Sequence, residues 1–303
     1  MSATEVHHDL FVYDNDETFA DRAERYLLNG LETGQAVMAV VTEPKQELLR
    51  ETLGAAAGRV SFVDCAEVYT RPEEVLARYD RALRRSLHAG GPGFTVYGEF
   101  PTSQTRAGWD RWMTYEGILN LAFANRPAEI MCGYDARAVP DSVLQTAWHN
   151  HQHVLTDDWQ PSPHYEDPAA LARRLTPAAE RLHGLKTLPS GDARALRQQL
   201  VGELAAAGIF DERARDLVLA VGEAISNAQR YGNGVRWLRA GRVGAGFVCE
   251  VSDRGGGFDD PLAGYLPPGA RGSEGAGLWV ARQLTTRLET FSEPGGFTVR
   301  LWI

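Results

Sequence analysis

The sequence predicts two domains, a three-layer α/β unit followed by a two-layer α+β sandwich. In the first half, short apolar runs alternate with helix-length segments, the pattern of a mostly parallel sheet covered on both faces. In the second half, three helical segments precede the strands, the pattern of helices segregated onto an antiparallel or mixed sheet. Between them lies a polar stretch holding Pro161, Pro163 and Pro168, which reads as an extended connector. At 303 residues the chain is long enough for two cores. The expected boundaries are 1–156 for the first domain, 157–172 for the linker and 173–303 for the second.

Residues 10–13, 36–41, 60–63, 94–97 and 129–132 are the short buried strands of the first half. Residues 16–31 and 72–89 are helix-length segments between them. After the linker, residues 169–182 and 192–207 read as helices, and a third runs over 211–231. In the third, Leu217, Val221, Ile225 and Ala228 make an apolar stripe, while Glu223, Asn227 and Arg230 share the opposite side at i, i+4 and i+7. Strands follow at 235–240, 246–252, 287–292 and 296–303. The last alternates Phe297, Val299, Leu301 and Ile303 against Thr298, Arg300 and Trp302. The sequence holds no internal repeat.

Composition excludes several classes. A hydrophobic fraction of 44% and a charged fraction of 23% are those of a soluble globular protein. No apolar run approaches the ~20 residues that span a bilayer, and the start of the chain lacks the features of an export signal. A cytoplasmic protein without a membrane partner is expected. A net charge of −9 argues against direct DNA binding, which needs a basic stripe. Cys65, Cys132 and Cys249 are odd in number, far apart and without metal-ligand spacing, so they read as buried structural thiols.

Three short strings near the carboxyl end carry the chemistry: Glu223-Ala-Ile-Ser-Asn227-Ala228, Asp253-Arg-Gly255-Gly-Gly257 and Gly275-Ala-Gly277-Leu278. The first sets a carboxylate and a carboxamide on one helical face, which suits a base beside a metal ligand. The glycines of the other two let backbone approach a nucleotide closely. Each string alone could be an exposed helix face, a hairpin turn or a plain helix start. Their order and spacing together describe an ATP site.

These ordered motifs resemble those of the Bergerat-fold (GHKL) ATPases, the group of gyrase, ATP-driven heat-shock chaperones, histidine kinases and bacterial anti-sigma serine kinases. The likeness covers residues 193–303, and the phrase Val221-Gly-Glu-Ala-Ile-Ser-Asn-Ala228 is most similar to the anti-sigma kinases. The resemblance implies ATP and Mg²⁺ as cofactors, with Asn227 as the Mg²⁺ ligand and Glu223 as general base. It implies that Arg230 approaches the phosphates and that Asp253 accepts a hydrogen bond from the adenine amino group, with Gly255 and Gly257 making room. Gly275 and Gly277 would open a helix from Leu278 whose free N–H groups bind phosphate. Residues 258–274 would be the lid. Arg194 and Arg197 stand where related kinases use an arginine against their protein substrate, though a solvated helix face reads equally well.

In the first half, His8-Asp-Leu-Phe-Val-Tyr-Asp14, Leu28-Asn-Gly-Leu-Glu-Thr-Gly34, Tyr115-Glu-Gly-Ile-Leu-Asn120 and Cys132-Gly-Tyr-Asp135 resemble the MEDS domain, a sensory module related to the RecA/KaiC-type core. The place of a phosphate loop, residues 13–19, has no glycine, no lysine and three acidic residues. Such a degenerate loop would repel triphosphate, so no ATP hydrolysis is expected there. His7, His8, His149, His151 and His153 read as solvated or helix-end histidines, with metal ligation the alternative. Tyr97, Glu99, Tyr115, Glu116, Cys132, Tyr134 and Asp135 fall near strand ends or on following helices, where an open α/β sheet places its ligand crevice.

The resemblance as a whole implies a partner-switching regulator of transcription. An ATP-dependent domain would sequester a sigma factor and phosphorylate a Ser or Thr of a STAS-type anti-sigma antagonist, under control of an unknown small-molecule signal at the first domain. A homodimer is expected by resemblance. The rivals are a histidine kinase with an atypical acceptor at His164 or His183, and a nucleotide-dependent binding module without catalysis.

Overall fold

The computed structural model describes residues 6–156, 158–175, 180–258, 260–268, 276–293 and 295–303. The chain divides into two compact units, Met1–Thr176 and Pro177–Ile303.

The first unit runs β1 (His7–Tyr13), α1 (Asp16–Glu32), β2 (Ala36–Val41), α2 (Glu43–Leu53), β3 (Val60–Asp64), α3 (Cys65–Val68), α4 (Pro72–His88), β4 (Phe94–Glu99), α5 (Arg106–Phe123), β5 (Ala128–Asp135), α6 (Asp141–Asn150), β6 (His153–Leu155), β7 (Trp159–Pro161) and α7 (Pro168–Leu175). Its strands lie in the order β3-β2-β4-β5-β1-β6-β7. All pairs are parallel except β6 with β7. Helix α1 starts where the Asn15 side chain accepts the Thr18 N–H at 2.8 Å, with Asp16 and Glu17 favourably placed in the first turn. Phe19, Ala23, Leu27 and Leu31 then bury one face of it against Val37, Ala39 and Val41 of β2. Met38 and Val40, on the other face of β2, are buried as well, so both faces of the sheet are covered.

The connector expectation is corrected. Residues 159–161 extend the sheet as β7, and residues 168–175 form α7, whose Leu171 and Ala172 are buried. Ala172 packs against Gly117 of α5. Pro168 is the first residue of the helix, where a missing N–H costs nothing, and Asp167 accepts the Ala170 N–H at 2.8 Å. Pro168 starts an element rather than forbidding one. The helix expected over 169–182 is correspondingly shorter: its described part ends at Leu175, and residues 180–185 are not helical.

The second unit runs β8 (Lys186–Thr187), α8 (Ala193–Ala206), α9 (Glu212–Tyr231), β9 (Val235–Val243), β10 (Gly246–Asp253), α10 (Ala276–Gln283), β11 (Arg287–Glu293) and β12 (Gly296–Trp302). Its sheet has the order β11-β12-β10-β9-β8 and is antiparallel throughout. Leu196, Leu200 and Leu204 of α8 and Leu217, Val221 and Ile225 of α9 pack on Leu238, Cys249, Val251, Val299 and Leu301 of the sheet. The opposite sheet face is not bare. Thr298 and Arg300 are buried there, and the Arg300 guanidinium pairs with Glu250 at 2.8 Å and donates to the Glu180 carbonyl at 2.7 Å.

The three cysteines are free and buried. Among the described residues, no helix is long and apolar enough to cross a membrane.

Candidate functional site

Helix α9 sets the frame of the site in the second unit. Its stripe of Leu217, Ala220, Val221, Ala224, Ile225 and Ala228 is buried in the core, which leaves Glu223 and Asn227, one turn apart, half-buried on the other side. Both reach the start of α10. A β-carbon placed on Gly277 would stand 2.8 Å from Glu223 Oε2 and 3.3 Å from both amide atoms of Asn227. Glycine at 277 therefore keeps a carboxylate and a carboxamide against bare backbone. Among the described residues neither side chain has a hydrogen-bond partner, so both remain available to a ligand. Their chemistry, one carboxamide oxygen and one carboxylate, fits a hard divalent cation carrying phosphate oxygens.

Asp253 ends β10 at a register shift in its pairing with β9. Its Oδ1 accepts the N–H groups of Gly255 at 3.0 Å and Phe297 at 2.9 Å. Those bonds fix the carboxylate, and among the described residues no hydrogen bond is made to Oδ2. The carboxylate lies against Gly232, where a β-carbon would come within 2.2 Å of Oδ2. The run Gly232-Asn233-Gly234, with Asn233 at φ 54° and Gly234 at φ 89°, turns the chain out of α9 so that the Gly232 carbonyl accepts the Arg254 N–H at 2.8 Å. Sequence reasoning missed this turn, although a Gly-Asn-Gly triplet at a helix end is a visible signal.

The remaining expected residues fall as follows. Gly255 would clash with Gly232 if it carried a side chain, since its β-carbon would lie 3.1 Å from the Gly232 Cα. Gly257 sits at φ 92° beside Ser292, whose hydroxyl bonds both backbone groups of Phe258. Arg230 is exposed in the last turn of α9. Leu278 turns its side chain into the core and so anchors α10. Gly275 lies outside the described residues, as do 259 and 269–274 of the expected lid. The described lid segment is tethered to α10: Arg282 donates to the Ala263 carbonyl at 3.2 Å and its guanidinium stacks 3.9 Å from the Tyr265 ring centroid. Arg194 and Arg197 line, with Gln198, Val201 and Val218, a groove of about 310 Å³ on α8 and α9. His164 and His183 are exposed and lie on no helix.

In the first unit the residues expected at a crevice are instead packed inside, except Asp135, which is half-buried and pairs with Arg137 at 2.7 Å. Glu99 accepts hydrogen bonds from the Tyr13 hydroxyl at 2.9 Å and the Tyr97 hydroxyl at 2.6 Å, and pairs with Lys45 at 2.6 Å. Burial pushes the Glu99 carboxyl up, against the pull of Lys45. Tyr115, Glu116, Cys132 and Tyr134 are buried on the other side of the sheet. A cavity of about 520 Å³ lies instead by the amino ends of the strands, lined by His7, Glu129 and His153 and by Arg22, Arg25 and Tyr26 of α1. The histidine expectation is corrected too: His8 and His151 are fully buried, because β1 is an inner strand and α6 ends one residue before His151.

Comparison with known proteins agrees with this division. The family model "MEDS: MEthanogen/methylotroph, DcmR Sensory domain" matches residues 7–152, and "Histidine kinase-like ATPase domain" matches residues 186–303. No curated protein matches the chain. A crystal structure of the RsbU and RsbW domains of Rv1364c from Mycobacterium tuberculosis is 25% identical over 39% of this chain and 30% of that one, with a TM-score of 0.29. The alignment thus spans less than a third of that protein's chain. The two family models between them leave only residues 1–6 and 153–185 unmatched: the chain joins a MEDS sensory domain to a histidine kinase-like ATPase domain.

Proposed function

We infer that the protein is a sensor-controlled, Mg²⁺·ATP-dependent protein kinase of the anti-sigma type. It sequesters a sigma factor and phosphorylates a Ser or Thr of a STAS-type antagonist. The observation that supports this reading best is the convergence of Glu223 and Asn227, both without a hydrogen-bond partner among the described residues, on the bare backbone of Gly277.

Bound Mg²⁺ would supply charge neutralisation of the transferring phosphate. The Asn227 carboxamide oxygen would hold it. Glu223, one turn earlier, takes the proton from the attacking hydroxyl. Asp253, oriented by the Gly255 and Phe297 N–H groups, offers Oδ2 to the adenine amino group. Arg230, exposed at the end of α9, supplies a fixed cation to the phosphates. The groove at Arg194 and Arg197 receives the protein substrate. A hydroxyl acceptor on a partner is favoured over a histidine of this chain, since neither His164 nor His183 lies on a helix.

An equilibrium titration with ATP, with and without Mg²⁺, tests the reading. Wild type binds in a Mg²⁺-dependent manner, Asn227→Ala loses the Mg²⁺ dependence, and Glu223→Ala keeps binding but loses transfer. Absence of ATP binding by the wild type contradicts it.

A further inference from the structure

Four side chains from distant parts of the first unit meet in its interior. They are His8 of β1, Glu116 of α5, Cys132 of β5 and His151, just past the end of α6. All four are buried, and one donor atom from each lies within 4.8 Å of the others. His8 Nε2 stands 2.8 Å from Glu116 Oε2 and 3.3 Å from Cys132 Sγ. Glu116 Oε2 stands 3.5 Å from Cys132 Sγ and 3.7 Å from His151 Nε2.

The surroundings fix which atoms point inward. The Asn120 amide donates to the Asn150 carbonyl at 2.7 Å and the Glu116 carbonyl at 3.3 Å, so its oxygen is the acceptor for His8 Nδ1–H at 3.1 Å. His151 Nδ1–H donates to the Ala147 carbonyl at 2.7 Å. The Tyr134 hydroxyl donates to Glu116 Oε1 at 3.0 Å, which leaves Oε2 facing the centre. His8, His151 and Glu116 are thus each held from behind by a partner on the other polar atom, the arrangement that orients metal-bound histidines and carboxylates.

Hydrogen bonds alone do not complete this cluster. His151 Nε2 is buried and has no partner. A single divalent cation at the centre would take the lone pairs of both histidines, the thiolate of Cys132 and Glu116 Oε2. Four of the six donor separations, 2.8–3.7 Å, reach into the tetrahedron edges of roughly 3.3–3.8 Å that bonds of ~2.0–2.3 Å require, and the other two lie within 4.8 Å. One thiolate and one carboxylate balance a 2+ ion, leaving the buried site neutral.

We propose that His8, Glu116, Cys132 and His151 form a closed site for a divalent transition-metal ion of the zinc class, built into the sensory domain. Two nitrogens, one sulfur and a single oxygen select against Mg²⁺ and Ca²⁺, which take oxygen ligands. On binding, the Cys132 thiol proton and the proton shared between His8 Nε2 and Glu116 Oε2 are both released to solvent. With four protein ligands the site has no open position for catalysis. It ties the first strand of the unit to α5, β5 and the end of α6.

The test uses the untagged full chain, stripped of metal and titrated with Co²⁺. The expected result is one equivalent bound, with the intense visible bands of tetrahedral Co²⁺ and a thiolate charge-transfer band, both displaced by Zn²⁺, and a raised melting temperature. Cys132→Ser abolishes the charge-transfer band, Glu116→Gln weakens binding at least about tenfold and Asn120→Ala about tenfold or more, while Cys65→Ser changes neither. A folded, cooperatively melting wild type that takes up no Co²⁺ overturns the proposal. So does uptake whose spectrum lacks the thiolate band, which would place the ion at His7, Asp9 and His153 instead. Should Cys132→Ser fail to fold, the wild-type band and Glu116→Gln still decide.

Discussion

Gly277 lies so close to Glu223 that one added methyl group would sit 2.8 Å from the carboxylate. Alanine at this position fits only if Glu223 and Asn227 are pushed from the ground they share. Gly277→Ala is therefore expected to weaken ATP binding at least about tenfold, or ~1.4 kcal/mol, while the melting temperature stays near wild type. Calorimetric titration beside a melting curve checks both. Unchanged ATP affinity would remove Gly277 from the nucleotide site.

Asp253 carries two separable duties. Its Oδ1 anchors the Gly255 and Phe297 N–H groups, whereas Oδ2 is left for the base. Asp253→Ala strands two donors in a part-buried turn and should cost about 2–3 kcal/mol of stability together with ATP binding. Asp253→Asn keeps an oxygen for the turn but presents an amide N–H₂ to the adenine amino group. That variant should melt within a few degrees of wild type and still fail to bind ATP.

The Lys45–Glu99 pair predicts a pH effect. Removing the cation in Lys45→Met leaves a buried carboxylate with two tyrosine hydroxyls and no counter-charge, which should cost about 3–5 kcal/mol at neutral pH. Burial already raises the Glu99 pKa above 4.5, and loss of Lys45 raises it further. The folded state then holds a proton that the unfolded chain has released. Stability of the variant should fall as pH rises from about 4.5 toward the folded value, and level off beyond it. Denaturant melts across that range, compared with wild type, would show the steeper fall.

Arg194 and Arg197 lie in the groove of α8 and α9. Charge reversal of both should reduce phosphate transfer to the antagonist at least tenfold (about 1.4 kcal/mol) and leave ATP affinity unchanged. Parallel loss of ATP binding would assign them to the nucleotide site instead.

Local pattern is enough to place β1–β5, β9–β12 and the polar side of α9, because strand and helix periods write themselves into neighbouring residues, but β6, β7 and β8 are too short to show a period. It is not enough for His8 and His151. Their burial depends on β1 pairing with β5 on one side and β6 on the other, contacts between residues more than a hundred positions apart. Lys45 meets Glu99 for the same non-local reason. The misread connector has a different cause: Pro168 is compatible with an extended chain and with the first position of a helix, and only the apolar pair Leu171 and Ala172 distinguishes them.

The most direct test incubates the purified chain with Mg²⁺·ATP and a panel of STAS-type antagonist proteins, reading acid-stable protein phosphate, with Asn227→Ala and Glu223→Ala alongside. The account predicts transfer to a Ser or Thr of one antagonist, abolished in both variants. An ATP-binding protein that labels no antagonist, or that carries only acid-labile phosphate on itself, would contradict it.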